Sequence, residues 1–96
     1  MNEAKVEKLK ADIQRAIADF RDAARIEEDE ARGNVADWFD SLFVDAVTRQ
    51  DLRSSAREAL KMYRGGYNSF SDYGSPLMKD ALEPLETLLR RAARRW

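Results

Sequence analysis

The sequence predicts an all-α protein: a compact four-helix bundle or an orthogonal helical array. Apolar residues recur at steps of three and four through most of the chain, the spacing of one buried helix face. No stretch alternates apolar and polar residues as a half-buried strand does, and no hairpin signal or internal repeat occurs. The 96 residues suit one domain spanning 1–96.

A first helix is expected over about 3–31. Val6, Leu9, Ile13, Ala16, Ile17, Phe20, Ala24 and Ala31 form its apolar stripe, and Lys5, Glu7, Lys8, Asp12, Arg15, Asp19 and Arg25 its charged face. Asp12–Arg15 and Asp22–Arg25 have ion-pair spacing. Gly33 and Asn34 are placed to end this helix and cap the next. The second helix, about 35–48, has a wide apolar face of Val35, Trp38, Phe39, Leu42, Phe43, Ala46 and Val47. Its aromatics make it the expected core helix. Asp37, Asp40, Ser41, Asp45 and Thr48 mark the other side, with Val44 in their midst.

The third helix covers roughly 52–64, with Leu52, Ala56, Ala59, Leu60 and Tyr63 inward. The Ser55–Glu58 spacing is that of a capping box and offers a start at 55. In the fourth helix Ser75 is the N-cap and Pro76 the first helical residue. Leu77, Ala81, Leu85, Leu88, Ala92 and Trp96 keep one phase across Pro84. That proline kinks the helix, or else a short turn at 76–80 ends and Asp80 caps a new one. The unbroken phase favours a kinked helix.

Composition narrows the chemistry. With neither cysteine nor histidine, the chain has no disulfide, no thiolate zinc site and no usual general base or pH switch. No metal and no cofactor is expected. Ser69, Ser71 and Asp72 have no suitable base among their sequence neighbours, so no catalytic residue is assigned and a non-enzymatic role is expected. The charged start and the lack of an apolar run of about 18 residues predict a cytoplasmic protein without a membrane span. The acids Glu27-Glu28-Asp29-Glu30 splay around a helix axis and read as a solvated last turn rather than a cation site.

Charge is unevenly spread. Residues 27–51 carry eight acids against Arg32 and Arg49, a net of −6, whereas 52–96 carry a net of +4. The acidic strip of Asp37, Asp40 and Asp45 around Val44 is a candidate docking face for a basic protein partner. The tail bearing Arg90, Arg91, Arg94, Arg95 and Trp96 is a candidate nucleic-acid contact. An overall pI of about 5.5 weighs against that reading. The same tail suits a membrane surface poorly, because Leu85, Leu88 and Leu89 are needed in the core. An exposed Val44 or Trp96 would also suit a homodimer.

The break between the last two helices, 63–76, holds three of the four glycines and all three tyrosines. Gly65 and Gly66 permit positive φ, and Asn68 is the next most tolerant. Ser69 and Asp72 are spaced to cap one short turn, with Phe70 as its inward anchor. Tyr67 and Tyr73 are candidate recognition residues. No lysine follows the glycines, as a phosphate-binding loop would require. Gly65-Gly66-Tyr67-Asn68-Ser69-Phe70-Ser71-Asp72 resembles the Gly-Gly-Met-Gly-Ser-Phe-Asn-Asp segment of a group of small, uncharacterised, mainly helical bacterial proteins. Some of these look like immunity proteins of polymorphic toxin systems. The resemblance implies a shared loop shape and a non-catalytic immunity or inhibitor protein that binds a partner protein.

Overall fold

The computed structural model describes residues 3–63 and 73–94. They form α1 (Glu3–Ile26), α2 (Glu30–Phe43), α3 (Arg49–Leu60) with a 3-10 turn at Lys61–Tyr63, and α4 (Pro76–Ala93). The protein is an all-α helical bundle. α1 packs against α2 on one side and α4 on the other, while α3 closes the bundle between α2 and α4. The described residues share one apolar core, in which no charged side chain is buried.

The α1 stripe falls where its spacing predicts, from Val6 to Ala24, with Ala23 added. The helix nevertheless ends five residues early. Glu28 turns into the left-handed region at φ 54°. Its N–H then bonds the Arg25 carbonyl at 3.1 Å and the Asp29 N–H bonds the Ala24 carbonyl at 2.8 Å, a Schellman ending. The Asp29 carboxylate accepts the Arg32 N–H at 3.0 Å and starts α2. The acid run is therefore the turn itself, and Asp29 and Glu30 lie at a helix N-terminus, where the dipole favours them. Gly33 and Asn34 lie inside α2, and Ala31 is exposed near its start. Asp12 pairs with Lys8 at 2.9 Å rather than with Arg15.

The shifted frame of α2 re-sorts its apolar residues. Ala36, Phe39 and Phe43 are buried at i, i+3 and i+7, and Phe39 meets Phe20 of α1 with ring centroids 6.0 Å apart. Trp38 lies one residue off this face and is exposed, and Val47 lies beyond the helix end in the turn to α3. Thr48, not Ser55, caps α3. Its hydroxyl accepts the Asp51 N–H at 3.1 Å, and the Asp51 carboxylate accepts the Thr48 N–H at 3.1 Å. Ser55 instead donates to the Leu42 carbonyl at 2.6 Å, filling one of the acceptors left open at the end of α2.

Ser75 and Pro76 begin α4 as expected, with the Ser75 hydroxyl accepting the Met78 N–H at 3.1 Å. The helix runs unbroken through Pro84 and ends at Ala93, so Asp80 starts no new helix. Pro84 removes the N–H that would bond the Asp80 carbonyl, but both residues are exposed, so water can meet the open acceptor. Met78, Ala81, Leu82, Leu85, Leu89 and Ala92 face the core. Leu77 is exposed and Leu88 half-buried, a face turned by about one residue from the expected one. Buried Tyr63 donates its hydroxyl to the Leu82 carbonyl at 2.9 Å and so fastens the end of α3 to α4.

Three consequences can be measured by denaturant unfolding. A Cβ at Gly33 meets nothing within 4 Å, so Gly33→Ala should stabilise the protein by about 0.5–1 kcal/mol through helix propensity. Glu28→Gly should add about 1 kcal/mol by relieving the left-handed backbone. Burial pushes the Tyr63 hydroxyl pKa above its ordinary value, with the Glu86 charge a smaller cause. Because the folded pKa is raised, this stabilisation is complete below pH about 10 and lost as pH rises past that point. Tyr63→Phe should cost about 1 kcal/mol at pH about 8 and less at pH about 11.

Candidate interaction surface at the end of α2

The turn between α2 and α3 carries two unusually bare apolar side chains: Val44 is 62% exposed and Val47 is 73% exposed. Exposed Asp45 stands between them in sequence. The backbone beneath is tied on every side. Lys10 of α1 donates to the Ala46 carbonyl at 2.7 Å and to the Val44 carbonyl at 3.4 Å. This places an ammonium at the negative end of the α2 dipole. The Val47 N–H bonds Asp51 at 3.1 Å. Those backbone N–H groups of Thr48 and Val47 hold the Asp51 carboxyl below its usual pKa. Val44 and Val47 are thus presented on a turn with little freedom left to lose.

The acidic strip is partly spent inside the fold. Arg21 of α1 donates Nε and Nη2 to Asp37 Oδ1 at 3.2 and 2.9 Å, and Nη2 also to Asp40 Oδ2. Asp40 first, then Asp37, raises the guanidinium pKa through these bonds. The Asp37 side chain keeps 70% of its surface exposed. Asp45 has no such tie to α1 among the described interactions and remains the acid beside the valines.

Tyr73 does not join this surface. Arg32, in the first turn of α2, donates to the Tyr73 carbonyl at 2.6 Å, and the Tyr73 hydroxyl reaches Glu86 only at 3.5 Å. Burial, then the Glu86 charge, raises the Tyr73 pKa. Arg32 and Val44 are twelve helical steps apart, about 18 Å, so Tyr73 and the valines sit toward opposite ends of α2. Tyr67 and the loop residues Gly65, Gly66, Asn68, Ser69, Phe70 and Asp72 lie outside the described residues, as do Arg95 and Trp96.

The arginine candidates divide. Arg90 is committed to Glu86, with Nε at 2.8 Å from Oε2. Arg91 lines a shallow cleft of about 190 Å³ with Lys5, Lys8 and Asp12 of α1. Arg94 adjoins Leu60 and Ala93. At the far end of α1, an open groove of about 360 Å³ runs along the α1–α2 turn, bordered by Arg21, Arg25, Glu28, Asp29, Glu30 and Asp37. Among the described residues, no three carboxylates are placed to hold a metal ion, and no helix is long and apolar enough to cross a membrane.

Sequence reading overlooked Lys10 and Arg21, the cations that place this surface, and Arg32, which holds the Tyr73 carbonyl at the other end of α2. Each lies on a polar helix face, and its partners are remote in sequence: Asp37 and Asp40 stand 16 and 19 residues from Arg21, and Tyr73 stands 41 from Arg32. No local motif marks such pairs.

Fold and surface together define a class, the small all-α helical bundle with an exposed apolar and acidic turn. Comparison with protein-family models, curated proteins and solved structures finds no match to the chain.

Because Arg21 and Asp40 are partly exposed and Asp37 is largely so, Arg21→Met should lower stability by only about 0.5–1 kcal/mol near 0.1 M salt. Unfolding curves in about 1 M salt, where screening is strong, should show that difference shrinking.

Proposed function

We propose that the chain is a small non-catalytic protein-binding domain that docks a basic partner protein on the α2–α3 turn. The observation carrying this reading is the exposed Val44 and Val47 beside Asp45 on a backbone fixed by Lys10 and the Thr48–Asp51 cap. Bare apolar side chains on a fixed turn add contact area with little ordering cost. The neighbouring carboxylates favour a positive partner and speed its approach. The likeness of residues 65–72 to the loop of immunity-like bacterial proteins supports an immunity or inhibitor role in a bacterial cytoplasm. In this reading Asp37 and Asp40 contribute charge from the flank, and Tyr67 and Tyr73 belong to a separate contact at the other end of α2.

The alternative is a nucleic-acid-associated regulator using Arg90, Arg91, Arg94 and Arg95. The engagement of Arg90 by Glu86 counts against it, and the convergence of Lys5 and Lys8 on Arg91 counts for it. A mobility shift that weakens steeply with salt is its signature.

The test substitutes residues whose side chains carry no structural bond among the described interactions, leaving the backbone bonds of Val44 and Val47 in place. In the variant combining Val44→Ser, Asp45→Lys and Val47→Ser, the unfolding midpoint should change little. Its Kd for the partner co-purified from the native host should rise at least about tenfold. An unchanged Kd with the fold intact removes this turn from the binding surface.

A further inference from the structure

A row of cations on α3 takes no part in the α2–α3 turn surface. Arg49, Arg53, Arg57 and Lys61 follow one another at four-residue steps, about 6 Å apart along the axis and about 40° apart around it. Both ends of the row are already engaged, Lys61 by Glu58 at 2.9 Å. The side chains of Arg53 and Arg57 have no bonding partner among the described residues, and neither does that of Arg94 at the end of α4.

The fold brings these three guanidiniums to one flank. Tyr63, at the end of α3, bonds Leu82, whereas Leu60 borders a shallow cleft of about 300 Å³ with Arg90, Ala93 and Arg94. Earlier residues of α3 therefore lie nearer the C-terminal end of α4. Arg53 shares the direction of Leu60 to within about 20° and Arg57 to within about 60°. Ser55, which bonds the Leu42 carbonyl of α2, points about 160° from both. The arginines thus face outward on the α4 side of α3, away from the acids of α2.

Nearby acids do not neutralise this flank. On α3, Asp51 is held in the Thr48 cap and Glu58 by Lys61. Asp51 points about 160° from Arg53, and Glu58 about 100° from Arg57. On α4, Glu86 pairs with Arg90 and Glu83 with Lys79. Glu3 and Glu7 at the start of α1 are exposed, but they lie within about 40° of the direction of Arg21, which faces α2. Asp45 stands before the Thr48 cap, in the turn assigned above to the partner protein. Screening at physiological salt acts over about 8 Å, so a ligand on this flank meets the local arginines whatever the pI of the whole chain.

We propose that Arg53, Arg57 and Arg94 bind the phosphate backbone of a nucleic acid along the α3–α4 flank, without regard to base sequence. Phosphate is the favoured ligand because all three cations are arginines, whose planar forks grip phosphate oxygens bidentately. Arginines clustered along one helix face are the electrostatic footprint of such binding. Leu60 and Ala93 between them offer no hydrogen-bonding side chain to read a base edge, so affinity without sequence preference follows. The contact centres on α3 and shares only Arg94 with the tail reading above. It does not depend on the partner-binding turn.

Fluorescence anisotropy on the full chain tests it, with labelled DNA as a mixed-sequence duplex and as a single strand. Three phosphate contacts predict that log K falls with log salt at a slope of about −2 to −3. Arg53→Gln with Arg57→Gln should weaken binding about tenfold in low salt and flatten the slope by about 1.5 to 2. The unfolding midpoint of that variant should stay unchanged, since neither side chain holds a bond in the fold. Arg15→Gln with Arg25→Gln removes the same charge from α1 and should change the affinity by less than about twofold. Absence of binding to both DNAs in about 10 mM salt overturns the proposal, as does an equal loss of affinity in the α1 variant. Binding of poly-glutamate as tightly as the duplex, with the same dependence on Arg53 and Arg57, also overturns it and assigns the flank to an acidic protein.

Discussion

The rest of the structure leans on the apolar stripe of α1. From Val6 to Ala24 it offers a buried residue on every turn, and α2, α3 and α4 all touch it. A chain of this size buries a modest fraction of its surface, and this one has no cysteine to cross-link what it buries. Coverage of that stripe has to be nearly complete, and Ile13, Ile17 and Phe20 are fully enclosed. The core is apolar throughout, so burial alone says little about where each helix begins or how it is turned. Those decisions fall to polar groups at helix ends: Asp29 for α2, Thr48 with Asp51 for α3, and Ser75 for α4.

Legibility in the sequence follows the same division. The stripe of α1, the inward residues of α3 and the Ser75-Pro76 start of α4 could be read, because periodicity and one unambiguous cap define each. The α1–α2 boundary could not. Gly33 and Asn34 look like better terminators than Glu28 and Asp29, yet the chain accepts a glutamate in the left-handed region and caps α2 with the aspartate after it. Two capping boxes also competed at the start of α3, and the earlier one won; the loser, Ser55, is occupied by the Leu42 carbonyl. Each shift rotates or truncates a helix. For that reason Trp38 and Val47, expected inside, are exposed, while Ala36 is buried; in α4, whose start is as expected, the buried face itself is turned by about one residue, leaving Leu77 exposed and Met78 buried.

The candidate surface was half legible. Val44 amid acids was visible as a pattern and is exposed. What the pattern could not convey was which acids remain available, since that depends on Arg21 arriving from another helix. Charge counted along a sequence overstates charge offered to a partner wherever a neighbouring helix supplies the counter-ion. Asp45 and the valines gain importance for that reason, and Asp37 and Asp40 take on a second duty in joining α1 to α2.

The pairing of α1 with α4 bears on how the protein comes into being. These helices lie side by side, yet α1 leaves the ribosome first and α4 follows every other element. Half of the α1 stripe has nothing to pack against until residue 93 has been made. The α1–α2 hairpin can form early, but the cooperative core cannot close during synthesis. Final collapse is therefore a late, long-range event, set by loop closure across nearly the whole chain. In the interval, the uncovered side of α1 is the part of the nascent chain most exposed to misassembly.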